Sequence, residues 1–342
     1  MERLRKSPVL FARRSVHRKK SVAVAGYGAI GRHHARNLAS FDGVRVLVVE
    51  SHEATAEEAR AAGFTVFPSL DKALCDDLDG VVLAVPTSLH RELALQCIDA
   101  KKAVLVEKPI SSTVADGQAI IEAAERCGVP LMIGYVERYN PAVIALKKLI
   151  DEGHLGSLYS LTARRVGMMP ARIKDANVLI DIGVHDIDAA AFVLDRPLHL
   201  RSALGGRGRL DDRVDFAMLA IDAGGIAVHI ETNWLTPVKI RELYVIGEHG
   251  TCHVDYITQE ARLATNQDVS IASTFEGTVE NYQKERWQSV PVVREEPLHK
   301  ELAIFLGSMD GGPLPSPRIA LTSLALAEEA TNHIDQRSFV TK

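Results

Sequence analysis

The sequence predicts an α/β protein in two parts, a doubly wound parallel sheet followed by an α+β domain with an open, largely antiparallel sheet. Two observations favour this fold class. From residue 21 to about 140, short apolar runs alternate with helical segments, as in chains that form parallel sheets. From residue 157 strand-like runs follow one another, most of them separated by Gly, Asp or Pro turns. We therefore expect domains at 21–140 and 141–335.

The composition is typical of a globular protein, and the length is sufficient for two domains that each have a hydrophobic core. The chain has 342 residues, of which 46% are hydrophobic and 25% charged. No run of about 18 apolar residues occurs, so we expect no membrane-spanning helix and no membrane partner. The four cysteines are widely spaced and form no CxxC pair. They predict reduced thiols in a cytoplasmic protein, with neither a disulfide framework nor a metal site.

Residues 1–20 form a basic extension on an acidic chain. They hold eight Lys or Arg and one acid, so the rest of the chain holds 32 bases and 43 acids. The extension is Arg-rich and acid-poor like a transit peptide, but we interpret it as a disordered tail or an arm that lies on another subunit. No basic patch with interleaved aromatic residues follows it, so we expect no nucleic-acid partner.

A glycine-rich turn, GYGAIG, follows the apolar strand at 21–25 and opens a helix. The first two glycines permit a tight turn and a close approach of the backbone to a pyrophosphate, and the third lets the helix pack near the strand. The motif alone is weak evidence for dinucleotide binding, but its position between a strand and a helix favours a dinucleotide site. The predicted cofactor-binding residues of this turn are Gly26, Gly28, Ala29, Ile30 and Gly31.

The second strand, at 44–49, ends in Glu50. An acid at this distance from the glycine turn binds the ribose hydroxyls in dinucleotide-binding folds. Because a carboxylate there repels the extra phosphate of NADP, we predict that the cofactor is NAD. His52 and Arg60 are the nearby residues that could offset this preference.

The next buried strands also end in polar residues. PTSLH follows the strand at 80–85, and EKP follows the strand at 103–106. Loops at the carboxyl ends of parallel strands line the ligand crevice. Lys108 could in addition donate a hydrogen bond to a substrate hydroxyl, although a solvated lysine at a strand end is the alternative. The predicted cofactor contacts here are Pro86, Thr87, His90, Glu107 and Lys108.

The segment at 178–188, VLIDIGVHDID, predicts a helix with an acid and a base on one face. Asp181 and His185 stand one turn apart, with Asp188 on the same side, while apolar residues on the opposite stripe pack into a core. A carboxylate one turn from an imidazole can orient it to take a proton from an alcohol. The alternative is a solvated pair on a polar helix face.

With these motifs in hand, the chain resembles the Gfo/Idh/MocA oxidoreductase family over residues 21 to about 335. The glycine turn, Glu50, PTSLH, EKP and the D-x-x-x-H helix occur in the family's order and spacing. The resemblance implies an N-terminal Rossmann domain and a C-terminal domain whose open sheet forms an oligomer. It also implies a catalytic set of Lys108, Asp181 and His185.

Within the family, the segments VERYNPAV, ARRVGMMPARIKD and IDIGVHDID look most like the UDP-N-acetylglucosamine 3-dehydrogenases. This similarity implies NAD-dependent oxidation of the sugar 3-hydroxyl to a ketone. Three alternatives stay open: another nucleotide sugar, a free polyol such as inositol, and a non-catalytic NAD-binding regulator.

The arginines before the catalytic helix suit a substrate with a pyrophosphate, because guanidinium groups bind phosphate in a bidentate way. Since neighbouring strand residues point to opposite faces, at most one of Arg164 and Arg165 should reach the site. Surface or interface charges are the alternative. The full set of predicted substrate residues is Tyr135, Arg138, Arg164, Arg165, Arg172, Asp181 and His185.

One face of the second sheet is expected to be covered by the catalytic helix. The other face then requires a partner, so we expect a homodimer or homotetramer formed through the open sheet.

Overall fold

The computed structural model describes residues 19–169, 176–265 and 287–337. Its first sheet has six parallel strands in the order β3-β2-β1-β4-β5-β6, which is the doubly wound order. The predicted fold class is therefore confirmed. The strands are β1 (Lys20–Ala25), β2 (Val44–Val49), β3 (Thr65–Phe67), β4 (Gly80–Leu83), β5 (Ala103–Glu107) and β6 (Leu131–Gly134).

The central strands of this sheet are buried on both faces, which is why β1, β4 and β5 consist almost wholly of apolar residues. Asn140 caps the last helix of the series by accepting the backbone N–H of Ala142, and Pro141 follows at the first helical position. The helices are α1 (Ala29–Ala39), α2 (Glu53–Ala61), α3 (Leu70–Leu74), α4 (His90–Asp99), α5 (Val114–Cys127) and α6 (Pro141–Asp151).

The second sheet has eight strands in the order β14-β13-β12-β11-β7-β10-β9-β8. Only the β7 and β10 pair is parallel, so the sheet is largely antiparallel as predicted. The strands are β7 (Leu158–Met168), β8 (His199–Gly206), β9 (Phe216–Asp222), β10 (Ala227–Asn233), β11 (Leu235–Gly247), β12 (Gly250–Asp255), β13 (Glu260–Thr265) and β14 (Gln288–Val290).

Three further helices complete the described chain: α7 (Val184–Leu194), α8 (Pro297–Ser308) and α9 (Pro317–Arg337). Helices α7 and α9 pack on one face of the second sheet, and α8 packs against α1. The sequence analysis did not predict α8, β13 or β14. The two strands lie at the sheet edge, and their polar residues and short lengths give little alternation to detect.

The opposite face of the second sheet carries exposed apolar side chains. Leu204, Met218 and Ile246 are each between 44% and 58% exposed, whereas their strand neighbours Ala203, Leu219 and Val245 are buried. The expected oligomer through this face remains a prediction. None of the helices in the described segments combines the length and apolarity that crossing a bilayer requires.

The glycine turn contains glycines with two different roles. Gly26 has a φ of +89°, and a Cβ there would lie 2.5 Å from the carbonyl oxygen of Ala84. A Cβ on Gly31 would lie 2.0 Å from the carbonyl oxygen of Gly26, so α1 can approach β1 only without a side chain. A Cβ on Gly28 would meet no heavy atom within 4 Å. The fold therefore requires glycine at 26 and 31 but not at 28.

We predict that Gly31→Ala lowers the free energy of unfolding by about 1–3 kcal/mol, the usual cost of forced overpacking. The matched variant Gly28→Ala should change it by less than about 1 kcal/mol, because its methyl group enters open space. Urea denaturation followed by circular dichroism measures both values. Equal losses in the two variants would contradict this account of the turn.

Candidate functional site

A cleft runs along the carboxyl ends of the first sheet between the glycine turn and the end of β2. Gly26, Gly28, Glu50 and Pro86 are among the residues that line it. The carboxylate of Glu50 accepts the backbone N–H groups of Tyr27 at 3.0 Å and of His52 at 2.8 Å. Glu50 thus shapes the turn, and each of its oxygens retains capacity for another donor.

This cleft fits the pyrophosphate and ribose of a dinucleotide. Gly28, Ala29 and Ile30 are exposed at the start of α1, where the free backbone N–H groups and the helix dipole favour an anion. The open space beside Gly28 is what a close backbone approach to a phosphate needs. Thr87 begins a short 3₁₀ turn at the rim of the cleft, next to the exposed Pro86.

His90 has a different position from the one predicted. Its ring is buried and bonds two backbone carbonyls, that of Pro109 from Nδ1 at 2.9 Å and that of Val85 from Nε2 at 3.0 Å. The two acceptors favour a doubly protonated ring, whereas burial lowers the pKa of His90 and favours the neutral one. We correct its role from cofactor contact to a link between the two loops that flank the cleft.

Glu107 also acts inside the protein. Its carboxylate bonds Nε2 of His34 at 2.6 Å and accepts the backbone N–H of Lys108 at 3.1 Å. Burial raises the pKa of Glu107, but His34 and Lys108 outweigh burial and hold it below the usual value. A Cβ on Gly134 would lie 3.2 Å from this carboxylate, so a glycine is needed beside it. Glu107 therefore positions the loop of Lys108, a role that differs from the cofactor contact predicted for it.

The Lys108 ammonium joins the two sheets. It donates to the backbone carbonyl of Asp181 at 2.6 Å and lies 3.3 Å from Oδ1 of the same residue. The other carboxylate oxygen of Asp181 has no hydrogen-bond partner among the described residues. The end of β5 and the segment before α7 thus meet at one cluster of polar groups.

His185 lies in the same cluster and is half-buried. Burial lowers its pKa well below the usual value, and the positive charges of Lys108, Arg165 and Arg241 lower it further. The ring of Tyr135 stands edge-on to it, with centroids 6.3 Å apart, and Tyr135 is itself buried. At pH 7 His185 is therefore a neutral imidazole that can accept a proton.

The helix that carries this cluster departs from the predicted one. Residues Leu179–Gly183 form a π-helical turn before α7, a feature common at functional sites. Asp188 does not share an exposed face with Asp181 and His185, because it is buried against Arg138. Most of α7 is buried, and His185 and Phe192 are half-buried, so the expectation of one open polar face is corrected.

Two arginines predicted to bind substrate are instead buried in ion pairs. Arg138 bonds Asp188 through two nitrogens, one at 2.7 Å. Arg165 bonds both oxygens of Asp186 at 3.0 Å and Glu137 at 2.8 Å. Because burial and full pairing leave these guanidinium groups no room for a ligand, we withdraw both residues as substrate contacts. Arg165 anchors α7 to β7, and Arg138 anchors it to the 3₁₀ turn at Val136–Tyr139.

Of the two remaining predicted arginines, only Arg164 lies in the described part of the chain, and it is not part of the cluster. Arg164 points to the opposite face from Arg165, as strand alternation requires, and pairs with Glu231 at 2.8 Å. Arg172 lies outside the described residues. Among the residues that are described, no three His, Cys, Asp or Glu side chains are grouped to hold a metal ion.

Two cations on β11, Lys239 and Arg241, are not among the residues predicted from the sequence. Arg241 is the cross-strand neighbour of Arg165 and contributes to the low pKa of His185. The sequence contains one indication of this pair, the spacing of the two cations, because residues two apart on a strand share a face.

Asp188→Asn should lower the free energy of unfolding by about 3–5 kcal/mol, because it leaves the buried Arg138 charge without a counter-charge. The matched control is Asp76→Asn, which breaks an exposed pair of the same residue types, Arg45 and Asp76. We expect little change in the control, since solvent screens an exposed pair. Urea denaturation compares the two, and a small loss in both would show that the buried pair does not hold α7.

Comparison with known proteins places both sheets in one family. The description "Oxidoreductase family, NAD-binding Rossmann fold" matches residues 20–135. The description "GFO/IDH/MocA C-terminal domain" matches residues 143–253.

Similar individual proteins include two kinds of dehydrogenase. An inositol 2-dehydrogenase of Mycolicibacterium gilvum is 32% identical over 67% of this chain and 69% of its own length. A UDP-N-acetylglucosamine 3-dehydrogenase of Acidithiobacillus ferrooxidans is 26% identical over 84% of this chain and 87% of its own. For two other inositol 2-dehydrogenases, the chain spans only 66% and 54% of their length.

A solved structure of the UDP-N-acetylglucosamine 3-dehydrogenase GnnA from Acidithiobacillus ferrooxidans has a TM-score of 0.79 at 22% identity. The match covers 93% of this chain and 98% of that structure, and it supports the fold alone. The predicted cofactor, NAD, is confirmed by the family description. The chain therefore belongs to the Gfo/Idh/MocA family of oxidoreductases, with an NAD-binding Rossmann domain at its N-terminus.

Proposed function

We propose that this protein oxidises a secondary hydroxyl of a sugar with NAD, and that the sugar is UDP-N-acetylglucosamine, oxidised at its 3-hydroxyl to the 3-keto sugar. The observation that carries the proposal is the cluster formed by Lys108, Asp181 and His185 beside the dinucleotide cleft. An ammonium and a neutral imidazole together can stabilise and deprotonate an alcohol.

The chain's own residues have separate roles in this chemistry. His185 accepts the hydroxyl proton, since its low pKa keeps it neutral. Lys108 donates a hydrogen bond to the same oxygen and lowers the pKa of the hydroxyl, and Asp181 holds Lys108 in position. When NAD is bound, its nicotinamide ring supplies the hydride acceptor.

The cofactor would be held by groups already described. Backbone N–H groups at 26–31 bind the pyrophosphate, and Glu50 accepts the ribose hydroxyls. The loop of Pro86 and Thr87 borders the cleft towards Lys108, and His90 joins this loop to that of Pro109.

Two observations bear on the choice of sugar. The similarity to the UDP-N-acetylglucosamine 3-dehydrogenase extends over 84% of this chain and includes most of both domains. The inositol dehydrogenases are more similar in identity but over a shorter part, 67% in the case of Mycolicibacterium gilvum. Oxidation of a free polyol such as inositol is therefore the second candidate function. We also propose a homo-oligomer formed through the exposed apolar face of the second sheet.

His185→Ala and Lys108→Ala should each lower kcat by about 10²–10⁴-fold, the usual contribution of a positioned acid or base. The matched control is His154→Ala, because His154 is an exposed histidine outside the cluster. NADH formation followed by absorbance gives the rates, and NADH titration checks that the variants bind cofactor normally. Near-normal turnover of either cluster variant would refute the role assignment.

The pH dependence should identify His185 as the base. Protonated His185 cannot accept a proton, so kcat/KM falls as the pH decreases through its pKa. Because that pKa is well below 6.5 in the free protein, the acid limb should lie below pH 6.5. His185→Ala should lose this limb along with most of the rate. An acid limb at or above pH 6.5 would contradict the assignment.

A substrate panel separates the two candidate functions. UDP-N-acetylglucosamine, UDP-glucose, N-acetylglucosamine and inositol are each offered with NAD. Turnover confined to UDP-N-acetylglucosamine supports the first proposal, whereas turnover of inositol with indifference to UDP supports the second. NADH formation with none of a wider panel of sugars and polyols would favour the non-catalytic alternative.

A further inference from the structure

Two neighbouring cations face the catalytic cluster without an acid to balance them. Neither Lys239 nor Arg241 forms an ion pair within 4.0 Å with any acid in the described segments of the chain. Nearby cations elsewhere on the same sheet are paired: Arg165 with Asp186 and Glu137, and Arg164 with Glu231. The unbalanced charge is therefore specific to this part of β11.

The register of the sheet determines which way these two side chains lie. Arg241 is directly opposite Arg165, whose side chain reaches α7, and directly opposed residues share a face. A Cβ on Gly167, two residues after Arg165 on β7 and so on the same face, would lie 3.9 Å from Cβ and 3.8 Å from Cγ of Lys239, which places Lys239 on that face despite the irregular register before Ile240. Electrostatics agrees, because Arg241 lowers the pKa of both Lys239 and His185. Both cations therefore lie on the side of the sheet that carries the catalytic cluster.

Among the residues that the structure describes, the local charge does not sum to zero. The cations at this place are Lys108, Arg165, Lys239 and Arg241, and the carboxylates that face them are Asp181, Glu137 and Asp186. All three carboxylates already pair with Lys108 or Arg165. A positive excess therefore borders the catalytic cluster in a chain whose net charge is −4.

Lys239 is not covered by a side chain from the neighbouring strand. The residue across from it on β7 is Gly167, where an added Cβ would be in van der Waals contact with Lys239, 3.7 Å from its Cα. Lys239 is exposed and Arg241 is half-buried, so one side of the pair is open to solvent. Like charges held side by side repel each other, and a bound anion would relieve that repulsion.

We propose that Lys239 and Arg241 bind an anionic group, a phosphate or a carboxylate, of the sugar whose hydroxyl reacts at His185. Arg241 supplies a planar pair of N–H donors that matches an oxyanion, and Lys239 supplies a flexible point charge. This inference rests on the proposed function and extends it, since it makes an anionic sugar the substrate class. A neutral polyol offers no group for this pair.

The test measures binding, so it does not depend on turnover. Lys239→Gln and Arg241→Gln are compared with the parent protein by calorimetric titration in the presence of NADH. The probes are UDP-N-acetylglucosamine, N-acetylglucosamine 1-phosphate, glucuronate and neutral N-acetylglucosamine. The control variant is Arg262→Gln, which removes the same charge from an exposed position on β13 of the same sheet.

Lys239→Gln and Arg241→Gln should each raise the Kd of an anionic probe about tenfold or more, which is the loss expected for a charge-assisted hydrogen bond. The Kd of neutral N-acetylglucosamine should stay unchanged, as should all values for Arg262→Gln. The probe that loses most affinity identifies the anion as a nucleotide diphosphate, a sugar phosphate or a carboxylate. His185→Ala should retain the anion binding of the parent while losing turnover.

The inference is overturned if both variants bind every anionic probe as tightly as the parent does, or if the parent binds only neutral sugars. The latter result, together with turnover of a neutral sugar, would leave the dehydrogenase function intact. Melting temperatures check that the variants fold. Lys239 is exposed, so Lys239→Gln keeps the test decisive even if Arg241→Gln is unstable.

Discussion

The hydrogen bonds from Lys108 to Asp181 are the contact on which the site depends. Lys108 directly follows the strand β5 of the Rossmann sheet, and Asp181 lies in the π-helical turn ahead of α7. One ammonium therefore holds together two elements that are 73 residues apart in sequence. The contact fixes the ammonium near enough to His185 to lower its pKa, and in the proposed mechanism these two groups act on the substrate alcohol.

The surrounding protein holds α7 by charge and not only by apolar packing. Arg138 with Asp188, and Arg165 with Asp186 and Glu137, are buried pairs between this helix and its neighbours. Buried charges are costly to desolvate, but removing one partner costs more, so such pairs favour a single position of the helix. Burial and, after it, the same positive surroundings lower the pKa of His185 and keep it neutral, and the charges of Lys239 and Arg241 are those proposed to bind an anion.

Local patterns predicted the fold and the residues that form the proposed catalytic cluster. The glycine turn, the regular β/α alternation and the pair Asp181 and His185 each have a signature within a few residues. The partners of Arg138 and Arg165 had none, because Asp188 and Asp186 are 50 and 21 residues away, and pairing over such distances depends on the tertiary fold. For the same reason Arg138 and Arg165 were interpreted as substrate ligands, although their side chains hold α7 in place. The π turn was missed because its sequence is also compatible with an α-helix.

The central claim is that Lys108 and His185 act on one and the same hydroxyl group. A crystal structure of the protein with NADH and UDP-N-acetylglucosamine tests it most directly, through the distances from the reacting oxygen to Nζ of Lys108 and to the His185 ring. The account predicts that one sugar hydroxyl lies within hydrogen-bond reach of both groups, about 3 Å from each, with its carbon facing the nicotinamide ring. A bound sugar whose hydroxyls reach only one of the two groups, or neither, would contradict it.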